Sequence, residues 1–540
     1  MRARSPLVAA ASATATAAVV IVAIAAPAPA AGSDPAKTLP PGTVVVASNA
    51  PTTTVAPTVP SMPAVPTTTP APTTSPAAPT TAATVPAEAP PIGEVIDIGD
   101  AKEPRPYDAY LATSLHDLNV WWEAEFPRLF EGEWSPLAGG IFAAYPSRTT
   151  PIPGCGGASG STTYQDVSDY GAFYCPLGDF MAYDDGAQGI LAELAAEFGD
   201  SVLAVVLAHE YGHAVQFRTG ALDRDVPTVI TEQQADCFSG AWTRRAWDGA
   251  APGVTFTDAD LRSGLIALVI VRDPVGENVF DDGGHGSAFD RIGAFQHGFL
   301  GSVDACIDLV DQPLPLLPNQ FTGPDDEAVQ GNAPFGYDDG QIIGLVVDDL
   351  TTFWPNELTP HDAAITSLEL QPVTDPQADT CGLPVELATA GAAYCPQSST
   401  VLFDEEQARF LYDEFGDFAV GYAIGHAWAD AVQAALGLTL TGEPRSLVSD
   451  CLVGAWSAGA IRAPDNFSGT TTTSPLHPGR NVRLSPGDLD EAVQSAIVMG
   501  DAGFGDNVRG SAFEKIAYLR IGVLNGTDRC LDEAARLAAG

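Results

Sequence analysis

Basic residues are scarce in this chain of 540 residues: 24 lysines and arginines stand against 68 aspartates and glutamates, which gives a formal net charge of −44. An anionic surface repels nucleic acid and anionic lipid, so neither is expected as a partner. Such a surface could favour basic substrates, but a solubilising surface suited to an external or salty medium is the simpler interpretation. The charge therefore predicts no substrate.

Aromatic residues are absent from Gly32 to Pro91, a stretch dominated by Thr, Pro, Ala and Val. Without large apolar side chains such a stretch has nothing with which to build a hydrophobic core. We therefore predict that residues 32–100 form an extended, disordered stalk. Residues 101–540 remain for folding, which is enough for two domains of ordinary size.

Apolar residues dominate the stretch from Leu7 to Ala26, which follows Arg2 and Arg4 and precedes the small residues Ala28-Pro29-Ala30. This order is typical of a secretory signal over residues 1–31. The stretch is also long enough to span a bilayer as an uncleaved anchor. Both alternatives predict export, with the chain secreted or held at the cell surface, and with membrane attachment through this N-terminal segment only.

The chain contains an internal duplication. Residues 197–216 read EFGDSVLAVVLAHEYGHAVQ and residues 414–433 read EFGDFAVGYAIGHAWADAVQ, and the two segments align without a gap. They predict two homologous units, residues 101–325 and 336–540, joined by the Pro- and Gly-rich stretch 312–334. Shorter matches keep the same order: Trp122 with Trp354, Tyr174-Cys175-Pro176 with Tyr394-Cys395-Pro396, Gly240-Ala241-Trp242 with Gly454-Ala455-Trp456, and Gly286-Ser287-Ala288-Phe289 with Gly510-Ser511-Ala512-Phe513.

Each unit is predicted to be an α+β fold in which helices dominate. In the first unit one helix carries Trp121 and Trp122, short strands lie around residues 141–145 and 180–183, and helices follow. Asp200 is the predicted N-cap of the helix that contains residues 201–219, and Gly220 is its predicted stop.

All eight cysteines lie in the two units, four in each. In an exported chain they are expected to form disulfides. Four cysteines allow three pairings, and the repeat alone does not choose among them. Proximity in sequence favours four pairs: Cys155 with Cys175, Cys237 with Cys306, Cys381 with Cys395, and Cys451 with Cys530.

Two histidines and a glutamate form the run His209-Glu210-Tyr211-Gly212-His213. Residues four apart share one face of a helix, so His209 and His213 can bind one metal ion together. A catalytic zinc ion takes three protein ligands and leaves one position open for water, and Glu232 is the predicted third ligand. Glu210 is rotated off the ligand face, where it can act as the general base.

Two further side chains are assigned to this zinc site. Asp236 lies one helical turn after Glu232 and is expected to accept the spare ring N–H of a ligating histidine, which fixes its tautomer. His285 precedes the Gly-Ser-Ala-Phe run and is expected to stabilise the oxyanion of a tetrahedral intermediate. The alternative for His285 is a loop histidine that forms only local hydrogen bonds.

The second unit has lost most of this motif. His209 corresponds to His426, but Ala427 replaces the base Glu210. Asp430 and Ser446 stand where the first unit has His213 and Glu232, and Asp450 matches Asp236. Two ligands are too few for a stable zinc site, so the second unit is predicted to be catalytically inactive. It is expected to pack on the first unit or to bind a partner.

The runs HEYGHAVQ and EQQADCFSGAW, preceded by FYCP and followed by HGSAFDR, resemble the neutral zinc metallopeptidases of bacteria. The resemblance covers most of the first unit. It implies a zincin-like peptidase of the gluzincin type, with His209, His213 and Glu232 as zinc ligands and Glu210 as the base. Ala214 departs from the pattern, because members of the family often carry another histidine there.

These observations predict an exported zinc-dependent peptidase that acts on a peptide or protein substrate, with one active and one inactive unit. The alternative is a non-catalytic scaffold of the cell envelope with a structural zinc ion. A structural zinc site is normally closed by four protein ligands, whereas this motif supplies three and a nearby acid.

Overall fold

The fold is known from a computed structural model, which describes residues 44–45, 90–155, 160–338, 340–365, 367–373, 381–383, 390–461, 480, 482–500 and 509–539. These described residues all belong to one compact unit of the chain. The predicted signal over residues 1–31 lies outside the described residues, as does most of the predicted stalk. Among the described residues, no helix is both long and apolar enough to cross a membrane.

The N-terminal half of the folded part is built mainly of helices. Two of the longest are buried along most of their length, and three begin with a side-chain cap, from Thr163, Thr257 and Ser287. The helices are α1 (Ile92–Val95), α2 (Asp108–Leu129), α3 (Tyr164–Ser168), α4 (Ile190–Phe198), α5 (Ser201–Thr219), α6 (Thr228–Trp247), α7 (Asp258–Ile270) and α8 (Ala288–Gly301), with 3-10 turns at Ala221–Asp223 and Val303–Cys306.

A small sheet covers one side of these helices. Its strands are β1 (Val44–Val45), β2 (Gly140–Ala144), β5 (Ala172–Cys175) and β6 (Phe180–Asp184), in the order β1-β5-β6-β2. β2 and β6 are parallel, with Phe142 opposite Ala182, whereas β5 and β6 form an antiparallel pair. The short strands β3 (Ile152–Pro153) and β4 (Ser161–Thr162) form a separate hairpin.

The C-terminal half repeats this plan. Its sheet has a parallel pair, β7 with β9, and an antiparallel pair, β8 with β9. The strands are β7 (Glu369–Val373), β8 (Ala392–Cys395) and β9 (Thr400–Asp404). The helices are α9 (Pro324–Ala328), α10 (Ile342–Glu357), α11 (Glu405–Phe415), α12 (Asp417–Ala435), α13 (Gly442–Ala458), α14 (Asp488–Met499) and α15 (Ala512–Ala539), which is kinked at Gly526, with a 3-10 turn at Thr359–His361.

Matching contacts recur in the two halves. In the first, the Trp242 indole N–H donates to Asp117, and in the second the Trp456 indole N–H donates to Asp349. Helices α6 and α8 touch through backbone, because a Cβ at Gly240 would overlap the carbonyl oxygen of Phe295, and Gly454 makes the same close approach between α13 and α15. The predicted α+β tandem repeat is therefore confirmed in three dimensions.

The disulfides follow the repeat as well. The four bonds join the pairs that proximity in sequence favours, two in each half. Cys237 is among the bonded cysteines, so its thiol is not available as a metal ligand.

The folded region begins before residue 101, the predicted start of the first unit. Ile96 is almost fully buried, and Asp97 forms a β-bridge with Phe142 at the margin of the sheet. The connecting stretch 312–334 contains helix α9 and contributes to the core through the buried residues Leu316 and Leu317.

The two halves pack against each other through helices α7 and α8 on one side and α14 and α15 on the other. Phe299 of α8 and Phe513 of α15 have ring centroids 4.7 Å apart. The Gln296 side chain donates to the Phe513 carbonyl oxygen at 2.8 Å. The second half therefore packs directly against α8.

Candidate metal centre

Helix α5 places the two histidines of the motif in the interior. Residues 201–216 of this helix are all buried, and Gly220 ends it in the left-handed conformation that favours glycine, as predicted. Asp200 occupies the predicted N-cap position, but its side chain makes no capping hydrogen bond. The Ser201 hydroxyl instead donates to Asp260 of α7 at 2.8 Å.

Helices α5 and α6 bring His209, His213 and Glu232 together. The two Nε2 atoms are 3.0 Å apart, and oxygens of the Glu232 carboxylate lie 3.1 Å from Nε2 of His209 and 3.5 Å from Nε2 of His213. Ligands bound tetrahedrally to zinc at normal distances are about 3.3 Å from one another. All three side chains are buried, and neither Glu232 oxygen has a hydrogen-bond donor among the described residues. The donor set therefore fits a zinc ion.

The outward-facing nitrogen of each histidine is held by a second side chain. His209 Nδ1 lies 2.7 Å from the Asp236 carboxylate, and His213 Nδ1 lies 2.7 Å from Oε1 of Gln216. Because each Nδ1 carries the hydrogen in these pairs, each Nε2 is left as a lone-pair donor toward the metal position. Gln216 is itself fixed by donating to the Thr231 carbonyl oxygen at 2.7 Å.

A buried arginine completes this arrangement. Arg291 of α8 donates to both oxygens of Asp236, from Nε at 3.0 Å and from Nη2 at 2.9 Å. Its Nη1 donates to the Val271 carbonyl oxygen at 2.7 Å. The chain Arg291–Asp236–His209 thus runs from helix α8 to the first candidate ligand.

Glu210, the predicted base, is also buried. Its carboxylate lies near the Tyr174 backbone, and neither oxygen makes a hydrogen bond of normal geometry with the described residues. Burial raises the pKa of Glu210 to about 8. A buried carboxyl without a fixed partner is free to exchange a proton with a bound molecule.

His285 approaches the same site from the loop before α8. Its backbone N–H and that of Gly286 donate to Asp273 at 2.8 and 2.7 Å, and its Nδ1 lies 3.4 Å from the same carboxylate. Its Nε2 is buried and has no hydrogen-bond partner among the described residues. Burial alone would raise the pKa of Glu232, but the nearby histidines, His285 among them, hold it well below its usual range.

The equivalent place in the second half is filled by an internal ion pair. Lys515, which matches Arg291 in the repeat, donates to Asp450 at 2.8 Å and to the Ser446 hydroxyl at 3.3 Å. His426 Nε2 lies 3.2 Å from the Ser446 carbonyl oxygen. Gln433 matches Gln216, and its Oε1 has no hydrogen-bond partner among the described residues, because Asp430 stands where the first half has a histidine.

A second group of carboxylates with metal-binding proximity consists of Asp417, Asp488 and Glu491. Burial raises the pKa of each, that of Asp417 to about 6. Each also accepts a backbone hydrogen bond within the second half, from Ala333, Ser485 and Phe418 respectively. These bonds fix three backbone segments around the start of α12.

Sequence reasoning did not identify Gln216, Asp273 or Arg291. Both Gln216 and Arg291 carry a signal in the sequence. Gln216 ends the run HEYGHAVQ and Arg291 ends the run HGSAFDR, and their matches in the second unit are Gln433 and Lys515. Asp273 offers no such signal, since only the fold brings it against the loop of His285.

Comparison with known families agrees with this geometry. The family model described as "Putative neutral zinc metallopeptidase" matches residues 152–308 and, a second time, residues 322–514. The chain therefore belongs to this family and contains its domain twice.

The curated relatives that the chain matches are named only as uncharacterized proteins. Uncharacterized protein Rv2575 of Mycobacterium tuberculosis is 32% identical over 175 residues, which cover 28% of this chain and 57% of that protein. Uncharacterized protein YpfJ of Escherichia coli is 32% identical over 153 residues, which cover 24% of this chain and 50% of that protein. This chain thus spans only about half the length of these relatives. No solved structure matches the chain.

Proposed function

We propose that this chain is an exported zinc-dependent peptidase, in which His209, His213 and Glu232 hold the ion and Glu210 is the general base. The observation that carries the proposal is the buried set of three ligand atoms at tetrahedral spacing, with the Glu210 carboxyl close by and unpaired among the described residues. Four disulfides support export, because such bonds persist in oxidising compartments.

A zinc ion in such a site lowers the pKa of water and polarises a carbonyl group. Glu210 then accepts the proton of the attacking water and passes it to the leaving amine. With an ion held by the three ligands, the pKa of the Glu210 carboxyl would fall, which would bring it into the range of a base at neutral pH. His285 in its protonated form, with Nδ1 facing Asp273, would donate its Nε2–H to the substrate oxygen as negative charge develops there.

A library of unstructured peptides tests this proposal directly. The purified full-length chain loaded with zinc should cleave library members, and a chelator should abolish cleavage until zinc is restored. Glu210→Ala should retain zinc and lose about 10²- to 10⁴-fold in rate, as expected when a general base is removed. Glu197→Gln, a change at an exposed position near the end of α4, is the matched control and should cleave normally.

Three results would count against the proposal. Loss of zinc from Glu210→Ala would make Glu210 a ligand. Unchanged cleavage by that variant would remove it from the mechanism. A zinc-loaded wild-type chain that cleaves no peptide would favour the alternative of a cell-envelope scaffold with a structural zinc ion.

A further inference from the structure

Helix α8 determines the position of one ligand of the metal centre. Its Arg291 holds Asp236 by two hydrogen bonds, and Asp236 holds His209. Partners of a metal-ligating histidine orient its ring and affect metal affinity. Any group that fixes α8 relative to α6 therefore acts on the metal position through Arg291.

The start of α8 is fixed by a residue of the second half. Asp490 of α14 accepts the Phe289 N–H at 2.9 Å on Oδ1 and the Ala288 N–H at 3.1 Å on Oδ2. The first N–H groups of a helix have no partner within the helix, and a carboxylate satisfies them especially well. Asp490 is only 3% exposed, so water does not compete for these bonds.

The same carboxylate also reaches the other end of the loop that carries His285. Asp490 Oδ2 lies 3.0 Å from Nε of Arg272. Arg272 directly precedes Asp273, which accepts the backbone N–H groups of His285 and Gly286. One side chain of the second half thus forms an ion pair with Arg272 and accepts a hydrogen bond from Ala288, the two residues that flank the segment from Asp273 to Ser287.

Further contacts join the second half to α8. Arg520 of α15 lies over the Phe289 ring, with its guanidinium carbon 4.2 Å from the ring centroid, and donates to the Phe289 carbonyl oxygen. A Cβ on Gly293 would overlap this guanidinium group, so the glycine leaves room for Arg520 against α8. Helix α8 is thereby held between α6 on one side and the second half on the other.

We propose that Asp490 is a positioning residue for the metal centre. Through it, the catalytically degenerate half keeps the zinc ligands of the other half in position. This inference rests on the proposed zinc site but not on peptidase activity. It assigns the second half a role in the chemistry of the first, beyond ordinary packing between domains.

Asp490→Asn is the decisive variant. An asparagine keeps the size of the side chain, but its NH₂ group must face either a backbone N–H or Arg272, all of which are donors. We expect zinc affinity, measured on the full-length chain by competition with a chromophoric chelator, to fall about 10-fold. The matched control is Glu491→Gln, the neighbouring buried carboxylate, which accepts the Phe418 N–H inside the second half and should bind zinc within about twofold of wild type.

Equal zinc affinity in Asp490→Asn and Glu491→Gln would overturn the inference. Loss of the Asp490 carboxylate would then affect the metal centre no more than loss of a neighbouring carboxylate that does not contact α8. If Asp490→Asn does not fold, Arg520→Lys provides the second test. It keeps a positive charge near Asp290 and removes the planar group from Phe289, so a smaller loss of zinc affinity is expected. An affinity equal to wild type in that variant would also count against the inference.

The measurement separates this inference from the proposed function. A wild-type chain that binds zinc tightly but cleaves no peptide contradicts the peptidase, while the comparison of zinc affinities still decides the role of Asp490. An Asp490→Asn variant that cleaves peptides normally and binds zinc with unchanged affinity contradicts only the inference.

Discussion

The His285 backbone is held by Asp273 and its Nδ1 lies 3.4 Å from that carboxylate, while its Nε2 is buried close to Glu232 and has no partner among the described residues. This arrangement suits a donor to a developing oxyanion. We predict that His285→Ala lowers kcat about 10²- to 10³-fold, the usual effect of removing one such donor, with little change in KM or zinc content. Steady-state kinetics on a cleaved peptide measures the effect.

A control for this change is available on helix α8. His297 is half-buried and its Nε2 lies 3.2 Å from the Ala305 carbonyl oxygen. His297→Ala should leave kcat within about twofold of wild type. Wild-type turnover in His285→Ala would instead show that His285 serves only to pack its loop.

Individual residues differ in how far sequence could assign them. His209, His213, Glu232 and Asp236 lie at helical spacing on two neighbouring helices, so their proximity could be predicted from periodicity and motif order. Asp273 could not, because its partner is twelve residues away across a loop whose path depends on tertiary packing.

Helices α6 and α8 are in contact along their backbones, and small residues make this possible. A Cβ at Gly240 would overlap the Phe295 carbonyl oxygen. Gly240→Ala should therefore push α8 outward and lower the free energy of unfolding by about 1–3 kcal/mol, the usual cost of overpacking. Because α8 carries Arg291, zinc affinity should fall as well. Urea unfolding and chelator competition measure the two effects.

Gly323 supplies the comparison for this change. A Cβ there would meet nothing within 4 Å, and its φ of 173° is extended backbone that any residue adopts. Gly323→Ala should therefore be neutral in both measurements. If Gly240→Ala were equally neutral, the close approach of the two helices would not matter for stability.

The type and order of the main elements followed from sequence, because hydrophobic periodicity and the repeat constrain one another. The helix end at Gly220 could be predicted, since glycine readily adopts the left-handed conformation found there. The start of the folded region could not, since Ile92–Val95 and Ile96 follow directly on the Pro- and Ala-rich stretch. Helix α1 contacts α2, and Ile96 is buried where the chain then meets the sheet, so both depend on tertiary contacts.

The whole chain should bind one zinc ion, because Lys515 and Asp450 form a buried ion pair where a second site would lie. An ammonium group beside Ser446 and His426 repels a cation. We predict that His426→Ala leaves zinc content and peptidase activity unchanged. Metal analysis by mass spectrometry that finds two tightly bound ions, with one lost from this variant, would contradict the prediction.

The stability of the whole molecule should depend on the buried acids of the second half. The pKa of Asp417 is raised by burial to about 6, so the folded state holds this proton more tightly than the unfolded chain does. Its contribution is therefore complete below about pH 4 and is lost as the pH rises through about 6. The loss is at most about 3 kcal/mol.

Asp417→Asn isolates this contribution, because the amide can still accept the Ala333 N–H. The variant should be more stable than wild type at about pH 7.5 and about equally stable at about pH 4, as measured by urea unfolding at matched zinc concentrations. A stability difference that does not change with pH would show that Asp417 does not titrate in this range.

The disulfide between Cys237 and Cys306 begins at the residue after Asp236 and ties α6 to the 3-10 turn that follows α8. The bond closes a loop of 69 residues that contains Asp273, His285 and Arg291. In the reducing cytosol the two thiols would stay reduced. The ends of the loop would then have no covalent link between them. We therefore expect the proposed peptidase to be latent under reducing conditions and to mature only where this bond can form, so that the proposed export would keep its activity away from the proteins of the cytosol.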